Sequence, residues 1–457
     1  MTNNQLHVKP LLALLPMLLA SCATFSPDGG FNIVEKTTQP YIKQKPMWAT
    51  TVEQKEEANR QVNGLLAQPL SENDAVQMAL LNNPQLQADF YALQIAEADL
   101  VQAGRLPNPK FSMLYAKNNG DFKIEQILTW NVLALLTMPK ATAIEKQRFA
   151  ATQNAVSMRV LNLAQQTRVA YFNAVAAEES LRYLAQVKNS AEATAEFARR
   201  MKKAGNFNSL DLAREHGYYA DAALDLARAE NAKTQADEHL TQLLGLPDST
   251  ALKLPERLPD LPKNSDLLKQ VTAGEFNNRL DLQKMKQETA ALAQQLGLTK
   301  VTRLINVLEI GPARVLEGRR GDPYKKGFEI GFELPIFDWG GAKVKRAQAQ
   351  YMQSVNEVSA KAINAASEVR GSYNQYRTNY DVAKHYRDEI VPLRKRVLQE
   401  NLLRYNGMLI GPFDLMMDAR AQVLSVNSYI EALRDFWIAE SDLEMSLIGQ
   451  PMNAGDN

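Results

Sequence analysis

The sequence predicts a mainly α-helical protein with a membrane β-barrel part, built from one structural unit that occurs twice. Three observations predict this fold class. The 64 residues from Lys140 to Lys203 contain neither proline nor glycine. Two pairs of segments alternate apolar and polar residues, and each pair precedes a long helical segment. The same order of elements returns about 200 residues later in the chain.

The stretch from Lys140 to Lys203 has an apolar residue at every seventh position. The positions are Phe149, Val156, Leu163, Ala170, Ala177, Leu184, Ala191 and Ala198. A heptad stripe is typical of a helix that supercoils against neighbouring helices. At ~1.5 Å per residue this helix would span roughly 95 Å, which is about three times the ~30 Å hydrocarbon thickness of a bilayer. We therefore expect it to lie among other long helices.

The charge balance excludes a nucleic-acid partner. The chain has 457 residues and a net charge of +1, from 52 basic and 51 acidic side chains. This balance leaves no basic footprint for nucleic acid. Beyond the N-terminus, no run of ~20 apolar residues indicates a membrane-spanning helix.

The N-terminus has the pattern of an export signal. His7 and Lys9 precede the apolar run 11–20, and small residues follow it. Leu19-Ala20-Ser21-Cys22 resembles a bacterial lipobox, which implies removal of residues 1–21 as a signal peptide and a covalent lipid on Cys22. The next residue is Ala23 and not an aspartate, as in lipoproteins that are sorted to the outer membrane. Residues 22–70 are predicted to be a lipidated and mostly irregular N-terminal tether.

The first structural repeat is predicted over residues 71–245. Its predicted elements are a helix from Ser71 to about Gly104 with a break at Asn83-Pro84, a β-hairpin at about 110–130, the long helix, a helical turn at about 204–209, and a return helix that ends at Gly245. The hairpin is predicted because Asn-Gly separates its two alternating segments. A proline-rich connector is predicted over residues 246–264.

The second repeat is predicted over residues 265–450, and residues 451–457 form a C-terminal tail. Its predicted elements are a helix to about Gly297, a β-hairpin at about 304–334 with strands near Leu304–Ile310 and Phe328–Leu334, a long helix from Ala342 to about Arg404 with a bend near Pro392, a helical turn at about 407–413, and a return helix to Ile448.

The four strands alternate in the way that puts lipid on one face and water on the other. Four strands cannot close a barrel, because both edges would stay unpaired. The smallest barrels need about eight strands. Closure therefore requires several copies, and three copies would supply twelve strands. A soluble four-stranded sheet that covers the end of a helical bundle stays open as an alternative.

Several motifs in a fixed order carry a resemblance to a known family. They are Ala204-Gly205 with Ser209, Asp211 and Leu212; Leu243-Leu244-Gly245; Pro335-Ile336-Phe337-Asp338-Trp339-Gly340-Gly341; Tyr405-Asn406-Gly407; and Leu447-Ile448-Gly449. With the lipobox and the duplicated order, they resemble the TolC-like outer-membrane efflux family, in its lipoprotein branch. One departure is Met138-Pro139-Lys140 at the first strand-to-helix junction, which should therefore differ in geometry from the second.

The resemblance implies a homotrimer with a twelve-stranded outer-membrane β-barrel and a long periplasmic α-helical barrel. It also implies a lipid-anchored protein among outer-membrane lipids, whose helical turns meet a periplasmic adaptor that joins an inner-membrane pump. The implied function is a passive exit duct of a tripartite efflux or export system. The cargo stays open among drugs, heavy metals and proteins.

The candidate site residues lie at the two helical turns. By resemblance, Gly205 and Gly407 permit the tight turns that an adaptor grips, and the predicted docking residues are Gly205, Asn206, Ser209, Gly407 and Gly411. Asp414 and Asp418, with Asp211 and Glu215 at the corresponding place in the first repeat, could ring a pore with carboxylates and favour cations. They could instead only stabilise helix N-termini. Arg404 and Tyr405 could hold neighbouring helices together by bonding such acids.

No catalytic site, metal site or cofactor other than the lipid on Cys22 is predicted. The four histidines lie on different predicted elements without ligand spacing, and the chain offers no nucleophile motif or phosphate loop, so an enzyme is not expected. A structural periplasmic coiled-coil lipoprotein without a pore is the alternative function, and the alternating strands count against it.

Overall fold

A computed structural model describes residues 24–118, 120–247, 250–263, 279–319 and 321–450. Cys22, the signal peptide, residues 265–278 of the second repeat and the tail 451–457 lie outside the described residues. The chain divides into two compact units. Unit 1 comprises Met1–Val34, Tyr91–Val156 and Leu282–Lys361, and unit 2 comprises Glu35–Phe90, Ser157–Asp281 and Ala362–Asn457.

Helices and strands follow one another in the predicted order. The helices are α1 (Phe31–Thr38), α2 (Val52–Leu66), α3 (Glu72–Asn82), α4 (Pro84–Ala103), α5 (Val132–Lys203), α6 (Ser209–Leu243), α7 (Leu280–Thr302), α8 (Gly341–His385), α9 (Val391–Asn406) and α10 (Pro412–Ile448). The strands are β1 (Lys110–Asn118), β2 (Asp121–Asn131), β3 (Leu308–Gly318) and β4 (Lys325–Phe332). From α3 onwards, each half contains a helical segment, a β-hairpin, a long helical segment and a return helix. In the described part of the chain, every helix is too short or too polar to cross a bilayer.

The long helix α5 has 72 residues and begins at Val132, before the predicted start. The Asn131 side-chain oxygen accepts the Ala134 backbone N–H at 2.9 Å, which satisfies a donor at the helix start. Pro139 lies inside the helix, where it removes one backbone donor. The buried residues of the predicted heptad stripe are Val156, Leu163, Ala170, Ala191 and Ala198. These residues of the stripe are therefore buried within a single chain, without a contribution from other copies.

The helix break predicted at Asn83-Pro84 is confirmed. Ser71 and Asp74 form a capping box at the start of α3. Asn83 separates α3 from α4 with an extended backbone, and Pro84 is the first residue of α4. The Asn83 side-chain amide also donates to the Leu243 carbonyl at 2.9 Å, so this break is fastened to the end of α6.

Residues 24–70 of the predicted tether contain two helices that the sequence did not indicate. Helices α1 and α2 lie in this segment, and Thr51 with Gln54 forms a capping box at the start of α2. The buried apolar residues of the segment are Val34, Ile42, Trp48, Ala58, Val62 and Leu70. These residues follow no regular period in the sequence, although they are buried; the ring centre of Trp48, for example, lies 6.2 Å from that of Phe90.

The four strands form one antiparallel sheet in the order β1-β2-β3-β4. The first hairpin lies where the sequence predicts it, with Asn118 paired to Asp121 across the turn. In the second hairpin the predicted strand bounds are wrong, because β3 continues through Gly311 and Pro312. A side chain at Gly311 would lie 1.7 Å from the Leu128 carbonyl oxygen, so the close β2 backbone requires glycine there. Pairing of β2 with β3 lapses beside Pro312, which has no N–H to donate.

The register of the strands sorts their side chains into two faces. The apolar face comprises Phe111, Met113, Tyr115, Lys117, Phe122, Ile124, Gln126, Leu128, Trp130, Leu308, Ile310, Pro312, Arg314, Leu316, Lys326, Phe328, Ile330 and Phe332. The polar face carries every carboxylate of the strands, namely Asp121, Glu125, Glu309, Glu317 and Glu329. On the apolar face the side chain of Phe328 is 76% exposed and that of Phe332 is 57% exposed. This separation is typical of strands that contact lipid on one side and water on the other.

The two strand-to-helix junctions differ, as the departure at Met138-Pro139-Lys140 predicts. Helix α5 follows β2 directly, whereas an irregular segment separates β4 from α8. Gly340 in that segment has a φ of +72°. A side chain at this position would lie 2.5 Å from the Arg303 carbonyl oxygen. Only the second junction therefore depends on glycine.

A π-helical segment, Tyr386–Ile390, separates α8 from α9 just before Pro392, where the sequence predicts a bend. The described part of the connector fastens this region through its carbonyl oxygens. Arg387 Nη1 donates to the Leu261 carbonyl at 3.2 Å, and Tyr380 Oη donates to the Pro262 carbonyl at 3.2 Å. The connector is therefore bonded along its length rather than free.

Arg168 on α5 binds two carboxylates in unit 2. Its Nε lies 3.0 Å from Glu72 Oε1, and its Nη1 lies 2.8 Å from Glu444 Oε2. Glu440 lies one helical turn before Glu444 on α10. Burial raises the pKa of Glu440 to about 7, and the charges of Glu444 and Glu72 add to this rise while Arg168 opposes it. The folded protein therefore holds a proton on Glu440 at pH values where the unfolded chain releases it.

This difference predicts a pH dependence of stability. Because the pKa is about 7 in the folded state and near 4.5 in the unfolded chain, Glu440 lowers the free energy of unfolding as the pH rises through that interval. Glu440→Gln should raise the midpoint of thermal unfolding at about pH 8 and change it little at about pH 4, below the unfolded pKa. Glu431→Gln, an exposed position on the same helix, is the matched control. An equal effect of Glu440→Gln at both pH values would contradict the assignment.

Candidate functional site

The first helical turn joins α5 to α6 and requires glycine. Gly205 has a φ of +80°. The Asn206 N–H donates to the Met201 carbonyl at 2.9 Å, and the Gly205 N–H donates to the Lys202 carbonyl at 3.0 Å. These two bonds satisfy carbonyls at the end of α5, as in a Schellman turn. Because a side chain at Gly205 would meet no atom within 4 Å, the backbone angle and not the space requires glycine.

Asn208 caps the start of α6. The Asn208 side-chain oxygen accepts the Asp211 N–H at 2.8 Å, and its amide donates to the Asp211 carboxylate. Arg214 Nη1 lies 3.4 Å from Asp211 Oδ1. Lys202 Nζ donates to Ser209 Oγ at 2.8 Å. The carboxylate of Asp211 is therefore engaged at its own helix start.

The second turn joins α9 to α10 with a different backbone. The expectation that Gly407 supplies the special conformation is wrong, because Gly407 has a φ of −81° and Met408 has a φ of +57°. The Leu409 N–H donates to the Arg404 carbonyl at 2.9 Å. The side chains of Met408 and Leu409 are 93% and 77% exposed. The second turn therefore presents an apolar tip, and the non-glycine residue at positive φ is part of it.

The predicted pore acids of the second turn have different surroundings. Gly411 precedes α10 without a side-chain cap, and Asp414 is exposed in the first turn of this helix. In the described chain Asp414 has neither a hydrogen bond nor an ion pair. Asp418 accepts a hydrogen bond from the Asn401 side chain on α9. Asp414 is therefore the more available of the two carboxylates.

Arg404 and Tyr405 come just before the second turn. Arg404 is exposed and Tyr405 is half-buried. Among the described residues, Arg404 has no carboxylate within ion-pair distance. The structure of one chain thus does not bring Arg404 to Asp414 or Asp418, and a bond to a neighbouring copy stays a prediction.

An ion pair joins α6 to α10 behind the turns. Arg420 Nη2 lies 3.3 Å from Glu215 Oε1, and the Glu215 side chain is 1% exposed. The Arg420 guanidinium carbon also lies 4.0 Å from the centre of the Tyr218 ring. Burial raises the pKa of Glu215, and the charge of Arg420 lowers it. The sequence analysis included Glu215 and missed Arg420, because no local pattern indicates a partner about 200 residues away.

Known proteins are similar to this chain in sequence or in fold. A sequence model described as Outer membrane efflux protein matches residues 75–246. A solved membrane protein from Pseudomonas aeruginosa has the same fold with a TM-score of 0.70 and 20% identity, over 82% of this chain and 93% of that chain. The outer membrane protein VceC from Vibrio cholerae matches with a TM-score of 0.70 and 14% identity, over 83% of this chain and 97% of that chain.

Residues 75–246 of this chain thus match the outer membrane efflux protein family.

A curated relative is similar to this chain over most of its length. Nodulation protein T of Rhizobium leguminosarum bv. viciae is 21% identical over 440 residues, which cover 92% of this chain and 89% of the relative. The family is one of efflux ducts and not of enzymes. Across the described ranges, no three histidine, cysteine or acidic side chains are grouped so that they could hold a metal ion. That the chain lacks catalytic activity stays a prediction.

The two turns predict opposite responses to the same substitution. Gly205→Ala should destabilise the first turn by about 1–2 kcal/mol, because alanine is strained at positive φ. Gly407→Ala should be nearly neutral, because its backbone is not left-handed and its new methyl would meet the Arg404 carbonyl oxygen at an ordinary 3.5 Å. Hydrogen exchange of the Asn206 and Leu409 amides measures both effects. Equal loss of protection in the two variants would refute this difference between the turns.

Proposed function

We propose that three copies of this chain form an outer-membrane exit duct of a tripartite efflux system. The observation that carries this proposal is the four-stranded sheet, which has one exposed apolar face and two open edges at β1 and β4. In lipid, every backbone polar group needs a partner within the protein. Pairing of β1 with β4 of the next copy supplies these partners, and three copies give a closed barrel of twelve strands.

The helical part of the trimer forms a periplasmic tunnel, and its turns dock a periplasmic adaptor that leads to an inner-membrane pump. Support comes from the exposed Met408 and Leu409 at the second turn, because exposed apolar side chains mark sites of protein contact. Gly205, Asn206 and Ser209 form the corresponding surface at the first turn. The duct itself is passive, and the inner-membrane pump determines which cargo passes through it.

We propose that the mature chain begins at Cys22 and carries a covalent lipid there. The support is the lipobox-like sequence and the following Ala23, which favours sorting to the outer membrane. Lipid chains anchor a protein stably when several act together or with a second membrane contact. The apolar face of the sheet supplies that second contact.

Conductance tests the proposed function directly. The purified protein in planar bilayers should form channels of one reproducible size, and deletion of its gene should abolish export by the pump that co-purifies with it. A protein that assembles and carries the lipid but forms no channel would instead support the structural lipoprotein without a pore.

The availability of the carboxylates at the second turn gives a sharper prediction about ion selectivity. Asp414→Asn should lower the cation preference of the channel roughly twofold or more, because three copies remove a ring of exposed charge. Asp418→Asn should have a smaller effect, since Asn401 already bonds that carboxylate. Asp225→Asn, at an exposed pair with Arg228 on α6, is the control. Unchanged selectivity in Asp414→Asn would remove Asp414 from the pore gate.

Arg404 and Tyr405 belong to the same proposal. In the trimer they face carboxylates of a neighbouring copy and hold the helix ends together. The exposed guanidinium of Arg404 is available for such a bond. Arg404→Gln should then raise the open probability of the channel at constant selectivity.

A further inference from the structure

Positively charged side chains have different surroundings on the two faces of the sheet. On the polar face each lysine lies beside a carboxylate: Lys123 Nζ is 3.1 Å from Glu125, Lys325 Nζ is 3.5 Å from Glu317, and Lys110 Nζ is 3.6 Å from Glu309. The positive charges on the polar face are therefore compensated by carboxylates of the sheet itself.

The apolar face carries three cations and no carboxylate on any of its strand positions. The cations are Lys117, Arg314 and Lys326, and all three are exposed. Within the described residues, none of them forms an ion pair. Arg314 donates to the neutral Gln126 side chain and lies with its guanidinium carbon 5.2 Å from the centre of the Tyr324 ring. These contacts orient the guanidinium and leave its charge uncompensated.

Arg314 and Lys326 are direct cross-strand partners of β3 and β4. Like charges directly opposite each other in a sheet are destabilising. A cation on a lipid-facing strand position costs a further ~2–4 kcal/mol near the middle of a bilayer, and ~0–1 near its surface. The pair is therefore unfavourable on both counts unless an anion lies beside it.

The position of the pair along the strands indicates where that anion lies. Phe332, Ile330 and Phe328 occupy the apolar face of β4 between its helix end and Lys326. Six residues of strand cover ~20 Å, which is most of the ~25 Å height of the apolar band of an outer-membrane barrel. Tyr324, in the β3–β4 turn, draws the Arg314 guanidinium towards the turns. The two charges thus lie towards the edge of the band that is remote from the helices.

We infer that Arg314 and Lys326, with Lys117 nearby, bind the phosphate groups of a phosphorylated glycolipid in the outer leaflet. This inference rests on the proposed function, because it needs the apolar face to lie in the outer membrane with the turns outward. A guanidinium binds two phosphate oxygens at once, and an ammonium adds a point charge. The surrounding Phe328, Ile124 and Met113 contact acyl chains, which selects a lipid phosphate over a free anion.

The sequence provides a matched control for this site. Lys325 and Lys326 are neighbours in β4 and have the same side chain, but they lie on opposite faces of the sheet. Lys325 is paired with Glu317, whereas Lys326 faces lipid. Arg314→Gln with Lys326→Gln removes the proposed site, and Lys325→Gln removes a nearby positive charge without touching it.

Native mass spectrometry of the detergent-solubilised, full-length protein measures the binding. The probes are lipid A with two phosphates and lipid A without phosphates. The wild-type protein and Lys325→Gln should retain the phosphorylated form at least about tenfold more tightly. The double variant should bind both forms alike. If the double variant does not assemble, Lys326→Gln alone provides the same test, because Lys326 lies on the edge strand.

Three results would overturn the inference: no preference for phosphorylated lipid A in the wild-type protein, an equal loss in Lys325→Gln, or displacement of the lipid by millimolar inorganic phosphate. Channel conductance separates this failure from failure of the proposed function. A protein that conducts normally but lacks the lipid preference disproves only the phosphate site. A protein that forms no channel disproves the exit duct.

Discussion

The unpaired edges of the sheet are the constraint on which the rest of the structure depends. Within the part of the chain that the structure describes, strands β1 and β4 each pair on one side only, and the face that they share is apolar and exposed. Water could satisfy the free edges, but it could not solvate that face, whereas lipid could solvate the face but could not satisfy the edges. Both requirements are met together only when the sheet continues into further copies around a closed barrel.

The helices are built for the same kind of closure. Helix α5 has 72 residues, and at ~1.5 Å per residue it spans roughly 108 Å. Its buried alanines allow close helix approach, and its end is fixed by a glycine turn at Gly205. Behind the turns, the Glu215–Arg420 pair joins α6 to α10 within one chain. Breaking one member of such a pair leaves the other charge buried and is therefore costly, so α6 and α10 are expected to move together when the helix ends separate.

Local chemistry explains which parts of this fold the sequence could predict. The Ser71 capping box, the first hairpin and the positive φ of Gly205 each depend on residues that are close in sequence, and all were predictable. The duplicated order was also readable, because the same turn signals recur at matched intervals. The two-faced sheet followed from the largely alternating apolar and polar residues along β2 and β4.

Features that depend on distant residues could not be predicted. The segment around Trp48 looked irregular because its buried apolar residues follow no regular period. Pro312 suggested the end of a strand, yet it lies within β3 where pairing with β2 lapses. At the second turn, the chain places Met408 and not Gly407 at positive φ, a choice that local propensity disfavours. The pairing of Arg420 with Glu215 could not be predicted, because the two residues are far apart in the sequence and only the fold places them together.

The size and shape of the purified particle test closure by sister copies most directly. The lipid-modified protein, extracted in mild detergent, should have a protein mass slightly below three times the 51.1 kDa of the full chain by light scattering, because residues 1–21 are removed. Electron microscopy should show a hollow end where the twelve strands meet. A stable single-chain particle with an intact four-stranded sheet and no central cavity would contradict the account.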